Sequence, residues 1–209
     1  MNSSKHLFSL DGKLFHILSR IADLILLNVL WLITSVPIIT IGASTTALYY
    51  VVLKMVKNEE SYIIRSYFHS FCGNLRQSTT LWLLLLTTGS LVSYDISICA
   101  QLDSPYAKTC QTLLAFIGLI ILASAFYAFP VLARFDNTVR LILKNAVLMA
   151  AAHLPSTILL FLLYIGPLLI MLRFPVMMIS GIYFYLFIGV SATAWIASLI
   201  LRRVLDRYV

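Results

Sequence analysis

"SVPIITIGASTTALYYVVLKM", residues 35–55, carries no charge before Lys54 and has Pro37 and Gly42 near its start. It also continues an apolar run that opens at Ile21. As one helix, Ile21 to Leu53 would measure roughly 50 Å at 1.5 Å per residue, against about 30 Å of hydrocarbon. A single straight pass is therefore too long. Pro37 removes a backbone donor and disfavours helix at Val36, and Gly42 tolerates a turn. A tight turn here makes two short passes, about 21–37 and 39–55.

The whole chain has the same character. Of its 209 residues, 61% are hydrophobic and 11% charged, where a soluble domain averages about 45–50% and about 25%. Further apolar runs at about 79–99, 111–132, 146–171 and 176–201 reach transmembrane length. No polar stretch is long enough to bury a core of its own. The expected fold is an all-α membrane protein, one multi-spanning domain over 1–209 built as a compact bundle of about six transmembrane helices. The N-terminal Lys5, Lys13 and Arg20 before an apolar run resemble a signal peptide. The run exceeds the ~7–15 residues of a cleavable apolar region, so it reads as a retained first span.

Charge decides how many passes precede Lys54. With two, both termini are cytoplasmic, and of the 15 Lys and Arg residues only Lys108 and Arg173 fall outside. With one, and the N-terminus inside, only Lys5, Lys13, Arg20, Lys108 and Arg173 remain inside. Cytoplasmic loops carry the excess of Lys and Arg, so the opening stretch reads as the turn and return limb of a hairpin. The net charge of +7 is spread over these short segments, which argues against nucleic acid as a partner.

Two amphipathic segments then fall on the inner face. In 58–78, Ile64, Tyr67, Phe68, Phe71 and Leu75 share one helical face while Arg65, His69, Asn74 and Arg76 point elsewhere. This reads as a helix in the headgroup plane, either an anchor on anionic lipid or a protein-docking helix. In "ARFDNTVRLILKNA", 133–146, Asp136, Arg140 and Lys144 stand at i, i+4, i+8, close to Arg134. That spacing suits a solvated helix end, and equally a docking line beside the first segment.

Within the spans, polar groups are few, and each is a functional candidate. Asp23, Asp95 and Asn145 lie near span ends, within reach of water. Asn28 sits deeper, where an amide commonly bonds across to another helix. His153 stands just before Pro155, which frees a carbonyl that the imidazole or a neighbouring hydroxyl can satisfy. No catalytic site, metal site or cofactor motif emerges: the zinc helix, nucleophile elbow and phosphate loop are all missing. Cys99 and Cys110 flank the outer loop as two thiols or a disulfide, and Cys72 falls inside. The expectation is not an enzyme.

The segments "ADLILLNVLWLITSVPIITIGASTTALYYVVLKMVKNEESYIIRSYFHSFCGNLRQST" (22–79) and "YAFPVLARFDNTVRLILKNAVLMAAAHLPSTI" (127–158) resemble the two signatures of the YesL-like family, DUF624. The resemblance implies a small multi-spanning protein, typically of Gram-positive bacteria and without established catalysis. Genes of that family often lie near carbohydrate ABC transporters. It thus implies a non-catalytic accessory subunit of an oligosaccharide ABC permease; the two signatures contain the inner-face segments, whose Arg65, Phe68, Phe71, Arg76, Arg134, Asp136, Arg140 and Lys144 are the docking candidates. The alternative is a small stand-alone transporter or channel.

Overall fold

The computed structural model describes residues 13–59, 62–102, 104–135 and 137–207. The described chain is helical. It runs as α1 (Lys13–Ser35), a 3₁₀ turn (Ile38–Thr40), α2 (Ile41–Lys57), α3 (Ile63–Gln101), α4 (Pro105–Arg134), α5 (Val139–Ala152), α6 (Leu154–Arg173) and α7 (Pro175–Phe184). A π-helical turn (Tyr185–Gly189) then leads into α8 (Val190–Leu205). Among the described residues, six segments are long and apolar enough to cross a membrane: 15–35, 38–57, 63–101, 105–134, 154–173 and 175–205. This is an all-α, multi-pass membrane protein.

The opening stretch is a turn followed by a return limb. The chain leaves α1 at Ser35, is extended at Pro37 (φ −75°, ψ 116°), and re-enters helix through the 3₁₀ turn. Its polar groups are closed locally. Thr40 Oγ1 donates to Thr34 O (2.6 Å) and Pro37 O (2.7 Å), and Trp82 Nε1 reaches over from α3 to Ile38 O (3.0 Å). Such closure is what a turn flanked by exposed Val36, Ile38 and Ile39 requires in an apolar medium.

Gly42 has a different role from the expected one. It takes no left-handed conformation and lies inside α2. A Cβ there would stand 2.5 Å from Ser78 O and 2.6 Å from Trp82 Cβ. The glycine is where α2 and α3 touch backbone to backbone, as small residues permit in lipid. Beside it, Ser78 Oγ donates to Thr46 Oγ1 (2.9 Å), and Tyr67 OH meets Thr34 Oγ1 (2.7 Å).

Three expected boundaries are corrected. The segment 58–78 is not a separate helix in the headgroup plane, because α3 is continuous from Ile63 to Gln101, about 58 Å long. No proline or helix-breaking loop separates its amphipathic first half from its apolar second half. Only Tyr67 and Phe71 of the expected apolar face turn to the core, while Ile64, Phe68 and Leu75 are exposed. The fifth span does not begin at 146, since α5 ends at Ala152 and α6 starts after His153. There Thr157 Oγ1 donates to Ala150 O (2.9 Å) and His153 O (3.1 Å) across the break. Finally, 133–146 is not one helix: α4 stops at Arg134 and α5 opens at Val139.

The hairpin covers only part of α3. Its tip meets α3 at Trp82, and α3 continues for about 28 Å beyond that point. Over this outer length α3 and α4 flank a cavity of about 530 Å³ lined by Gly89, Val92, Ala115 and Gly118, among others, and touch where Gly118 meets Val92.

Candidate functional site

The polar atoms of the structure gather where α1, α2, α4 and α8 approach one another with their charged ends. α2 closes on Asn58, held in the left-handed region (φ 58°, ψ 26°), which lets Glu59 N bond back to Lys54 O (3.1 Å). Asparagine is the commonest substitute for glycine at such a cap. Arg20 Nη2 of α1 donates to Asn58 Oδ1 (2.9 Å). Arg202 Nη1 of α8 donates to Val56 O (3.0 Å). These cations complement the carbonyl ends of the helices they cap.

Asp206 completes the cluster. Arg134 Nη2 donates to Asp206 Oδ1 at 2.6 Å, and Arg202 Nε stands 3.5 Å from Oδ2. The Arg134 side chain is only 14% exposed. Its donated bond holds the Asp206 carboxyl below the ordinary carboxylate range, burial opposes it, and the charges of Arg134, Lys57 and Arg202 add to the lowering. A depressed carboxyl pKa contributes stability that is fully present above the unfolded value of about 4. That stability is lost only as pH falls through the lower folded value.

A pocket of about 170 Å³ opens in this end, lined by Tyr50, Lys54, Lys57, Glu59, Arg134 and Arg202, among others. Lys54 Nζ donates to Tyr50 OH (2.7 Å) and lies 4.3 Å over its ring centroid. Arg65 borders a neighbouring pocket that shares Tyr50. The expected docking residues are thus divided. Arg134 is drawn into the ion pair, while Arg140 and Lys144 stand exposed on α5, a turn apart. Arg65, Phe68 and Arg76 are exposed on α3, and Phe71 is half-buried against the core. Asp136 lies outside the described residues, as does Lys5.

Asn28 is fully buried and bonds across helices. Its Nδ2 donates to Tyr185 O (3.1 Å) and Leu186 O (2.8 Å), and Ser191 N donates to its Oδ1 (3.1 Å). One amide thereby bonds the backbone at the start of the π-helical turn and just past its end. Next to this turn, a cavity of about 260 Å³ is lined by Trp31, Tyr49, Trp82, Phe126, Tyr164 and Thr193, among others. The hydroxyls of Tyr49 and Tyr164 bond to each other on its wall. At the far end, Cys99 and Cys110 are both free, and Cys72 is exposed.

Sequence reasoning missed Asp206 and the Tyr50 pocket. The i, i+4 spacing of Arg202 and Asp206 is readable, but the Arg134–Asp206 pair spans 72 positions and has no local signature.

A six-pass helical bundle with a cationic end, a re-entering hairpin and one buried amide defines a small integral membrane protein. The profile described as "Protein of unknown function, DUF624" matches residues 24–96, which supports a likeness to the YesL-like proteins. The chain is 28% identical over 155 residues to the uncharacterized protein YesL of Bacillus subtilis (strain 168), covering 72% of this chain and 73% of YesL. It is 23% identical over 135 residues to the uncharacterized protein YteU of the same strain, covering 63% of this chain and 60% of YteU. No solved structure matches.

Proposed function

We propose that this protein is a non-catalytic accessory subunit of a carbohydrate ABC permease, seated in the bacterial cell membrane with its cationic end in the cytoplasm. The observation that carries the reading is α5. Its Ile142, Ala146, Met149 and Ala150 are buried against the bundle, which fixes the helix in place. On the opposite side Arg140 and Lys144 are exposed, and neither pairs with a described residue. A rigid helix that presents two exposed cations beside the bundle suits an acidic partner surface. The gene neighbourhood typical of the family points to sugar uptake.

The test is co-purification with the permease in mild detergent. Truncating one partner of a desolvated ion pair costs about 2–5 kcal/mol, roughly 30-fold or more in affinity. The double variant Arg140→Glu/Lys144→Glu therefore loses the permease while still expressing and inserting. Full recovery of the complex with a stable double variant rejects α5 as the docking element. A second reading, a stand-alone transporter, is favoured by the aromatic-lined cavity beside the π-helical turn, since transporters place substrates at interrupted helices. Uptake of labelled oligosaccharide by liposomes holding this protein alone would favour it over the accessory role.

A further inference from the structure

We propose that the pocket at the cationic end binds a phosphate group, either that of an acidic lipid headgroup or free inorganic phosphate. Lys54, Lys57, Arg134 and Arg202 face one small volume with Glu59 on its wall and Asp206 bound to Arg134. Four cations against two carboxylates leave two positive charges in excess. Part of the set is already engaged: Arg202 caps Val56 O, and Lys54 is held by Tyr50.

Two donors remain. Arg134 Nη1 is buried and has no hydrogen-bond partner among the described residues, an arrangement that costs free energy unless something accepts from it. Lys57 makes no hydrogen bond or ion pair with a described residue and feels Asp206 only through its charge. A guanidinium N–H and an ammonium at one pocket suit the oxygens of a phosphate, which accepts from the first and meets the second as a point charge. The pocket also lies where α2, α4 and α8 end. This site is separate from the exposed cations of α5 and stands whether or not those dock a permease.

The experiment uses the full chain in nanodiscs. Native mass spectrometry compares retention of phosphatidylglycerol with that of phosphatidylcholine. Thermal unfolding in phosphatidylcholine discs follows added inorganic phosphate, with chloride at equal ionic strength as control. Selective retention of phosphatidylglycerol without phosphate protection assigns the site to a lipid; protection by phosphate assigns it to the free anion. At about 1 kcal/mol per cation, Lys57→Gln lowers the affinity about fivefold, and Lys57→Gln/Arg134→Gln about 30-fold. Lys57→Gln breaks no bond to a described residue, so it reports even where the double variant fails to fold. Arg140→Gln/Lys144→Gln, on α5, keeps the selectivity. The proposal is overturned if the wild type shows neither lipid selectivity nor phosphate protection. It is equally overturned if Lys57→Gln binds as the wild type does, or if the α5 pair abolishes the effect.

Discussion

Gly42→Ala lowers the unfolding temperature in detergent, and Gly42→Leu prevents accumulation of folded protein. The added Cβ would sit 2.5 Å from Ser78 O and 2.6 Å from Trp82 Cβ, and neither atom is the end of a flexible side chain. α2 and α3 must separate, which breaks the Ser78–Thr46 bond and the reach of Trp82 to Ile38 O. Overpacking of a tight contact costs about 1–3 kcal/mol for the smallest additions and more for larger ones. Trp82→Ala does not rescue Gly42→Leu, because both offending positions survive that change. A wild-type melting temperature for Gly42→Ala would show that the two backbones do not meet there.

Asn28→Leu is the second large effect. The substitution keeps the volume but removes both donors to Tyr185 O and Leu186 O and the acceptor for Ser191 N. Each buried group left unpaired costs about 1–3 kcal/mol, and polar bonds between helices in membranes average about 0.6 kcal/mol. Between these limits, three lost bonds amount to about 2–4 kcal/mol. The damage is local to the π-helical turn, so limited proteolysis and hydrogen exchange should rise first in 184–191. Unchanged protection of that segment in Asn28→Leu would mean that the turn holds without its amide.

The fold was legible because the signals were local. Hydrophobic run length marked six passes, and Pro37 with the charge balance of the later loops turned the run from Ile21 into a hairpin. What failed was reading how helices meet. Gly42 carries the same letter whether it bends a chain or admits a neighbour, and only the position of Ser78, 36 residues on, tells the two apart. The headgroup-plane helix failed for a related reason. Tyr67 and Phe71 make an apolar face suited to lipid, and in the structure they spend it on the core of the bundle. The candidate site was half legible. Arg134, Arg140 and Lys144 stand out by type and spacing, while Asp206 divides Arg134 from the other two through a contact that no periodicity announces. Asn28 could be singled out as a buried amide, but its partners lie in a π-helical turn that has no sequence signature of its own.

The accessory-subunit reading depends on the cationic end facing the cytoplasm, and that is measured most directly by cysteine accessibility in intact cells. The existing cysteines are first replaced by serine, and single cysteines are placed at Asn58 and at Tyr106. Both positions lie in or next to loops, Asn58 at the end of α2 and Tyr106 at the start of α4. A membrane-impermeant maleimide should label the Tyr106 position in whole cells and the Asn58 position only after lysis. Labelling of Asn58→Cys in whole cells would put the Arg134–Asp206 cluster outside. The hairpin and the docking helix would then both face the wrong compartment.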